Sequence, residues 1–403
     1  MKKILFLTMN FPPMMTEGSS RAYKLAVSMP GIGWEPLVVA SAGLSGVGGM
    51  SGPFAVHYAG GEVPAESLDE EQLFRFAHMM PLKKSLLGKR GNVDPNGDAW
   101  EKKARPIAEK LLSEHDDIEL IYAQSPPLAP HRLALELAGR CHLPVIFDCI
   151  EPCGDDRFEI RLVRSGHSLT LPSRGMKEYF LKKYRGEVGH GDLTIVQNGF
   201  SSAEPFAPEA SSPQGAIMRW VLHVGRTGGR ELRSFFAGMK ACMESQQGLE
   251  GSLSLTLAGG GQQDAERYLA KYGLSGLVES RRTGLFREEL DRCRRADLFC
   301  VLTGSGPGSD IHDPERLYDA MGMNIPLAGV VPQGEASRLI ASAGGLVADP
   351  GDRNKAAGLV REAFRRWQDG EWQSVTETIA AKYRHDTAIE QLLGVMSGIL
   401  PLY

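Results

Sequence analysis

Trp220-Val221-Leu222-His223-Val224-Gly225-Arg226-Thr227-Gly228-Gly229-Arg230 is the stretch that decides how this chain reads. An apolar run of strand length stops at a glycine-arginine turn, and a helical pattern follows. The same sentence recurs in order. Leu253 to Leu257 runs into Ala258-Gly259-Gly260-Gly261, and Arg281-Arg282-Thr283-Gly284 precedes Asp297 to Leu302. Asp313-Pro314-Glu315-Arg316-Leu317-Tyr318-Asp319 then leads into Ile325 to Ala328. Continuous apolar strands alternating with helices imply right-handed crossovers and a parallel sheet. The turns at its carboxyl edge carry cations and backbone amides, which suits a diphosphate.

Working outward, 403 residues call for two or three domains at about 150 residues each. A composition of 42% hydrophobic and 23% charged residues reads as soluble and globular. A formal charge of −4 gives no electrostatic case for nucleic acid. Basic residues gather at Lys83, Lys84, Lys89 and Arg90, at Lys102, Lys103 and Arg105, and at Lys177, Lys182, Lys183 and Arg185. They read as solvated surface, with peripheral contact to anionic headgroups at the inner face of a membrane as the alternative. The six cysteines form no C-x-x-C pair; Cys149 and Cys153 are four apart, without a partner set of zinc spacing. Reduced thiols in a cytoplasmic protein are expected. The run Ile4 to Thr8 is short and ends before Pro12-Pro13, so it reads as a buried strand and not a signal peptide.

The first half alternates as the second does. Strands are expected at Ile4–Thr8, Pro36–Ala40, Phe54–Tyr58, Leu120–Ala123, Val145–Asp148, Ser168–Pro172 and Leu193–Val196. Helices are expected from Ser19 to Met29, with Ser19 or Ser20 as N-cap, through much of 66–115, and from Gly175 to Tyr184. Gly43 to Gly52 reads as a glycine-rich connection, and the Ser/Pro/Glu-rich residues 201–215 as a linker. The second half adds strands near 220–224, 253–257, 277–280, 298–302, 325–328 and 345–348. The fold class is α/β, two doubly wound Rossmann-like domains facing across a cleft.

Candidate site residues follow from the loops at the strand ends. Gly18, after the first strand, would let a phosphate or sugar approach the backbone. Arg226 would pair with diphosphate oxygens through its planar fork, and Arg230 could add a second charge. Gly259 and Gly284 sit in turns where the backbone could meet a nucleotide. Pro314 fits the first helical position with Asp313 as cap, which turns the amides of Glu315 and Arg316 toward a phosphate. The Asp313 carboxylate would compete for those amides. Asp319, about one turn on, could bind ribose hydroxyls. His131 is a candidate substrate contact, and Asp148 or Glu151 could meet acceptor hydroxyls. Asp310 and Asp313 flank His312 but lack a further ligand for a metal.

These motifs resemble, in order, those of the family-4 glycosyltransferases, retaining enzymes of the GT-B fold. Ile4-Leu5-Phe6-Leu7 with Phe11-Pro12-Pro13 and Gly18 looks like that family's opening. Thr194-Ile195-Val196-Gln197-Asn198-Gly199, Val224-Gly225-Arg226, Leu257 to Gly261, and Gly344 to Asp352 look like its later turns. The resemblance implies residues 1–202 as an acceptor-binding domain, 203–385 as a nucleotide-sugar-binding domain, and 386–403 as a helix crossing back to the first. It implies a nucleotide-diphosphate sugar as donor substrate, a glycan or lipid-linked acceptor, no cofactor and no metal. Arg226 would then stabilise the leaving diphosphate, Asp319 would hold ribose, and amides near Gly18, Glu315 and Arg316 would hold phosphate. The chain departs from the family where paired glutamates are usual, with Ile311 and Asp319 in their place, and has no clear counterpart of a lysine near Arg230 and Glu231. A nucleotide-sugar-binding partner subunit without catalysis, or a sugar-nucleotide epimerase, are the alternative readings.

Overall fold

The apolar run that opens the chain is strand β1 (Lys2–Leu7), with Ile4, Leu5, Phe6 and Leu7 wholly buried. A strand buried on both faces must lie inside a sheet with helices above and below. The chain then forms β2 (Trp34–Ala40), β3 (Gly43–Ser45), β4 (Val56–Tyr58), β5 (Glu62–Pro64) and β6 (Ile118–Ser125). β7 (Val145–Cys149), β8 (Ser168–Leu171) and β9 (Leu193–Ile195) follow. Seven of these make one parallel sheet in the order β4-β2-β1-β6-β7-β8-β9. Its register sets Leu5 beside Leu37 on one side and Ile121 on the other.

This computed structural model describes residues 1–14, 18–45, 53–64, 67, 95–200, 217–245, 249, 251–281, 294–372 and 375–400. The expected linker at 201–215, most of the helical stretch expected before residue 95, and Gly284 lie outside the described residues. The chain divides into two units: Met1–Asn198 together with His385–Tyr403, and Gly199–Arg384.

The second unit holds β10 (Met218–Val224), β11 (Leu253–Ala258), β12 (Val278–Arg281), β13 (Leu298–Leu302), β14 (Leu327–Val330) and β15 (Leu346–Ala348). They form a parallel sheet in the order β12-β11-β10-β13-β14-β15. Side chains alternate between its faces. Trp220, Leu222 and Val224 of β10 join Leu298, Cys300 and Leu302 of β13 in one core. Val221, Phe299 and Val301 belong to the other. This period of two, on strands buried from both sides, is the signature of helices on both faces. The fold class expected from the sequence is therefore present in both halves.

Three local expectations fail. Ser19 and Ser20 lie inside the first helix, Ser19–Ser28, and Gly18 caps it in the left-handed region at φ 89°. Gly43–Ser45 is not connection but a short parallel strand against Glu62–Pro64. A side chain at Gly43 would meet the Tyr58 ring at 2.7 Å, so glycine is there for packing. Pro314 is the N-cap of helix Glu315–Gly322 and not its first residue. Among the described residues no helix is long and apolar enough to cross a membrane.

The helix His385–Ile399 belongs to the first unit, where Ala388, Ile389, Leu392 and Met396 enter the core around β1 and β6.

Candidate functional site

In the second sheet the strand order turns back between β10 and β13, and doubly wound proteins bind ligands outside the carboxyl ends of strands at such a point. The two turns there are bonded together. Gly225 N–H donates to the Leu302 carbonyl at 3.0 Å, and Gly304 N–H to the Arg226 carbonyl at 2.8 Å. Arg226 is thereby fixed through its backbone while its side chain is exposed. Beside it, Gly259 takes φ 81°, and a Cβ there would lie 2.5 Å from the Val224 carbonyl oxygen. Gly261 meets the same residue, so this turn needs glycine for close backbone approach whether or not a ligand is bound. Arg230 is exposed in the first turn of helix Gly229–Ser245, with its guanidinium beside Gly351.

Glu231, which the sequence reading did not count among the site residues, occupies the centre of this edge. It is buried, and the Ser305 hydroxyl donates to its Oε1 at 2.8 Å. Burial would raise its pKa, but the Ser305 hydroxyl and the amides of Glu231, Ser305 and Gly228 outweigh that and hold it below the usual carboxylate range. The donors of a helix start and of the neighbouring turn are thus gathered around a carboxylate of the chain itself. The signal was in the sequence: an acid in the first turn after Gly228-Gly229 is a capping residue.

Helix Glu315–Gly322 follows β13 toward the same edge, and no side chain caps its start. The Asp313 carboxylate is turned to Tyr318, whose hydroxyl lies 2.8 and 3.0 Å from its two oxygens. Glu315, Arg316 and Asp319 are all buried, and Arg316 donates to Asp319 Oδ2 at 3.0 Å. One carboxylate oxygen of the expected ribose ligand is therefore shared with Arg316.

In the first unit two expectations are corrected. Asp148 does not offer its carboxylate to an acceptor. Arg21 grips it from Nε and Nη2, each at 2.8 Å, while Tyr122 and Thr170 hydroxyls donate at 2.6 and 2.8 Å. Both charges are sealed in, with side chains 3% and 0% exposed. Burial would raise the pKa of Asp148, but the Arg21 charge and these hydrogen bonds hold it down. Arg21 also donates to Asn198 Oδ1 at 3.0 Å, so one carboxylate ties the first helix, three strands and the end of the first segment together.

His131 does not meet a substrate either. It is wholly buried in the first turn of helix Ala129–Cys141, its ring edge against Phe147 and its Nε2 2.9 Å from the Ala123 carbonyl oxygen. It stands with Cys149 and Cys153, one ligand atom from each lying within 4.8 Å of the others. Spacing along the chain concealed this set, because the histidine arrives from the preceding crossover. Cys149 is pushed up by its hydrogen bond to Cys153 and by burial. That same hydrogen bond, and after it the neighbouring His131, hold Cys153 down, to about 6, against burial. Gly18 lies at this sheet's edge, its carbonyl accepting from Gln124 Nε2 at 3.2 Å and its Cα facing Ile150.

No protein-family model matches the chain, and no curated protein matches it in sequence. Solved structures do. The sucrose-phosphate synthase of Thermosynechococcus elongatus superposes with a TM-score of 0.65 at 15% identity, over 99% of each chain. The fold is GT-B. Anabaena HepE in complex with UDP and glucose gives a TM-score of 0.61 at 15% identity, over 99% of this chain and 100% of that one. A putative UDP-N-acetylglucosamine 2-epimerase from Listeria monocytogenes gives 0.56 at 10% identity, over 98% and 96%. At such identities the likeness carries the GT-B architecture and nothing finer.

Proposed function

We propose that this chain is a retaining glycosyltransferase that moves a sugar from a nucleotide-diphosphate sugar to a glycan or lipid-linked acceptor, without a metal at the reacting centre. The observation that carries this reading is the convergence at the switch point of the second sheet. There the exposed Arg226 side chain, the Gly259 turn and the start of helix Glu315–Gly322 share one edge. The solved relative with UDP and glucose bound supports a uridine donor among the possibilities.

In this reading the second unit holds the donor and the first holds the acceptor. Arg226 balances charge on the leaving diphosphate. The first amides of helix Glu315–Gly322 hold a phosphate, and Asp319 meets ribose. Fixed cations and helix ends of this kind take the place of a metal at a developing anion. The leaving phosphate would help to deprotonate the acceptor on the same face of the sugar. The protein would work in the cytoplasm, with peripheral contact to the membrane where the acceptor is lipid-linked.

The test is turnover of UDP-, GDP- and ADP-sugars against an acceptor panel, with Arg226→Ala beside the parent. Loss of a charged transition-state partner should lower transfer by about 10²–10³-fold with the fold intact by circular dichroism. Normal turnover in that variant removes the role of Arg226. Two other readings have an observation of their own. The epimerase neighbour favours the one, and epimerised donor formed without acceptor would establish it. The carboxylate of Glu231 among the anion-binding donors favours a partner subunit that binds without catalysis, and tight binding with no turnover would establish that.

A further inference from the structure

We propose that His131, Cys149 and Cys153 form a binding site for a thiophilic divalent cation, zinc first among them, which staples helix Ala129–Cys141 to the end of β7 and the turn after it. Nothing in the sugar-transfer reading uses these three residues. The argument begins with the proton on the histidine. A carbonyl oxygen only accepts, so the 2.9 Å contact with Ala123 puts the proton on Nε2 and leaves the lone pair on Nδ1. Nδ1 is buried with no partner at ordinary hydrogen-bond distance, and the Cys153 sulfur lies beside the ring. A histidine held by a backbone carbonyl through one nitrogen, with the other turned to its ligand, is the arrangement metal sites use. The Phe147 ring against its edge fixes that orientation further.

The two sulfurs complete a donor set of zinc's own kind. Tetrahedral zinc, with Zn–S about 2.3 Å and Zn–N about 2.0 Å, sets ligand atoms roughly 3.5–3.8 Å apart. The three atoms here lie within 4.8 Å of one another, so side-chain rotation closes the difference. The charge also balances. Two thiols lose their protons on binding, and two thiolates neutralise a divalent ion, which a buried site requires. Glu159 is not the fourth ligand. Its Oε1 accepts the Cys153 N–H at 2.7 Å, and its Oε2 accepts from Lys183 at 2.6 Å and Tyr184 at 2.5 Å. It instead holds the Cys153 backbone in position, and the fourth place falls to water or an outside ligand. The bond would join the crossover after β6 to the turn after β7, since His131 lies in the helix that follows β6, and Cys149 ends β7.

The full chain, reduced and stripped with chelator, is titrated with cobalt(II) chloride and with cadmium(II) chloride. The expected result is one equivalent per chain with thiolate-to-metal charge-transfer absorption, displaced by zinc. Cys153→Ser should lose that band, while Cys141→Ser, at an exposed thiol, should keep it. In the unsubstituted protein, zinc should also shield the half-buried Cys153, but not the exposed Cys141, from alkylation as mapped by mass spectrometry. That second measurement decides the matter even if Cys153→Ser does not fold. No band, a band that survives Cys153→Ser, or alkylation of Cys153 indifferent to zinc would overturn the proposal. Sugar transfer need not be measured, so failure here leaves the functional reading standing.

Discussion

Asp148 carries two roles that one sequence could suggest, an acceptor contact or a structural counter-ion, and its surroundings choose the second. Replacing it by Asn removes the carboxylate charge that the buried Arg21 guanidinium grips, which costs on the order of 3–5 kcal/mol. Urea unfolding of Asp148→Asn checks this. A carboxyl held below its ordinary range stabilises the fold above about pH 3.9 and loses that contribution as pH falls through its folded value. The Asn variant should therefore show a flatter stability curve below that pH; an unchanged midpoint and acid limb would deny the network its weight. Glu231 makes the companion case. Its charge is held by Ser305 and by amides, and it stands where an incoming phosphate would need the same donors. Glu231→Gln keeps the shape and removes the charge, so nucleoside diphosphates should bind several-fold tighter, by about 1 kcal/mol for one lost like-charge contact screened as in bulk water. Calorimetry with UDP and GDP reads it, and weaker binding would mean that Glu231 orients the donor. The place of Arg226 at the sheet edge was legible because it follows an apolar strand by two residues. The partners of Asp148 were not, since Arg21, Tyr122 and Thr170 come from three distant parts of the chain.

Elements proved easier to read than their ends. The strand runs around Val221 and Phe299 announced themselves because a sheet covered on both faces tolerates only apolar side chains. Caps are decided by one dihedral, and neither Ser19 nor Ser20 could compete with Gly18 for a left-handed position. Gly43–Ser45 was missed for a related reason, since a glycine strand of three residues exists only because Tyr58 packs over it. Gly334, ahead of helix Glu335–Ser342, shows how tightly an element end can be set. A Cβ there would fall 1.9 Å from the Asp310 carbonyl oxygen, the same oxygen that accepts the Glu335 N–H at 2.8 Å. Its backbone is extended, so the objection is steric and not dihedral. Gly334→Ala should cost about 1–3 kcal/mol through a forced backbone shift. A thermal midpoint equal to that of the parent would mean that the segment around Asp310 yields freely.

Across the whole molecule, the first unit ends with a segment drawn from the far end of the chain, His385–Tyr403. Its first residue is a second pH-sensitive group. His385 is buried and its pKa is lowered to about 3, by burial first and then by Lys24 and Arg21, against a hydrogen bond to the Lys24 backbone. Above its unfolded pKa of about 6.5 the neutral ring costs nothing; below it the unfolded chain takes a proton that the folded chain refuses. Stability should therefore fall by about 1.4 kcal/mol per pH unit from pH 6 toward 3 on this account alone. His385→Leu should flatten that slope in denaturant titrations, and an identical slope would show that the histidine is not refused its proton.

The same tail has a bearing on synthesis. Chains usually acquire their units in the order in which they are made. Here the earlier one still lacks Ile389, Leu392 and Met396 when residue 198 has left the ribosome, whereas everything between Gly199 and Arg384 is contiguous. The later-translated half can finish first, and the nascent amino-terminal half must wait, with part of its apolar interior uncovered, until residues 385–400 have been made.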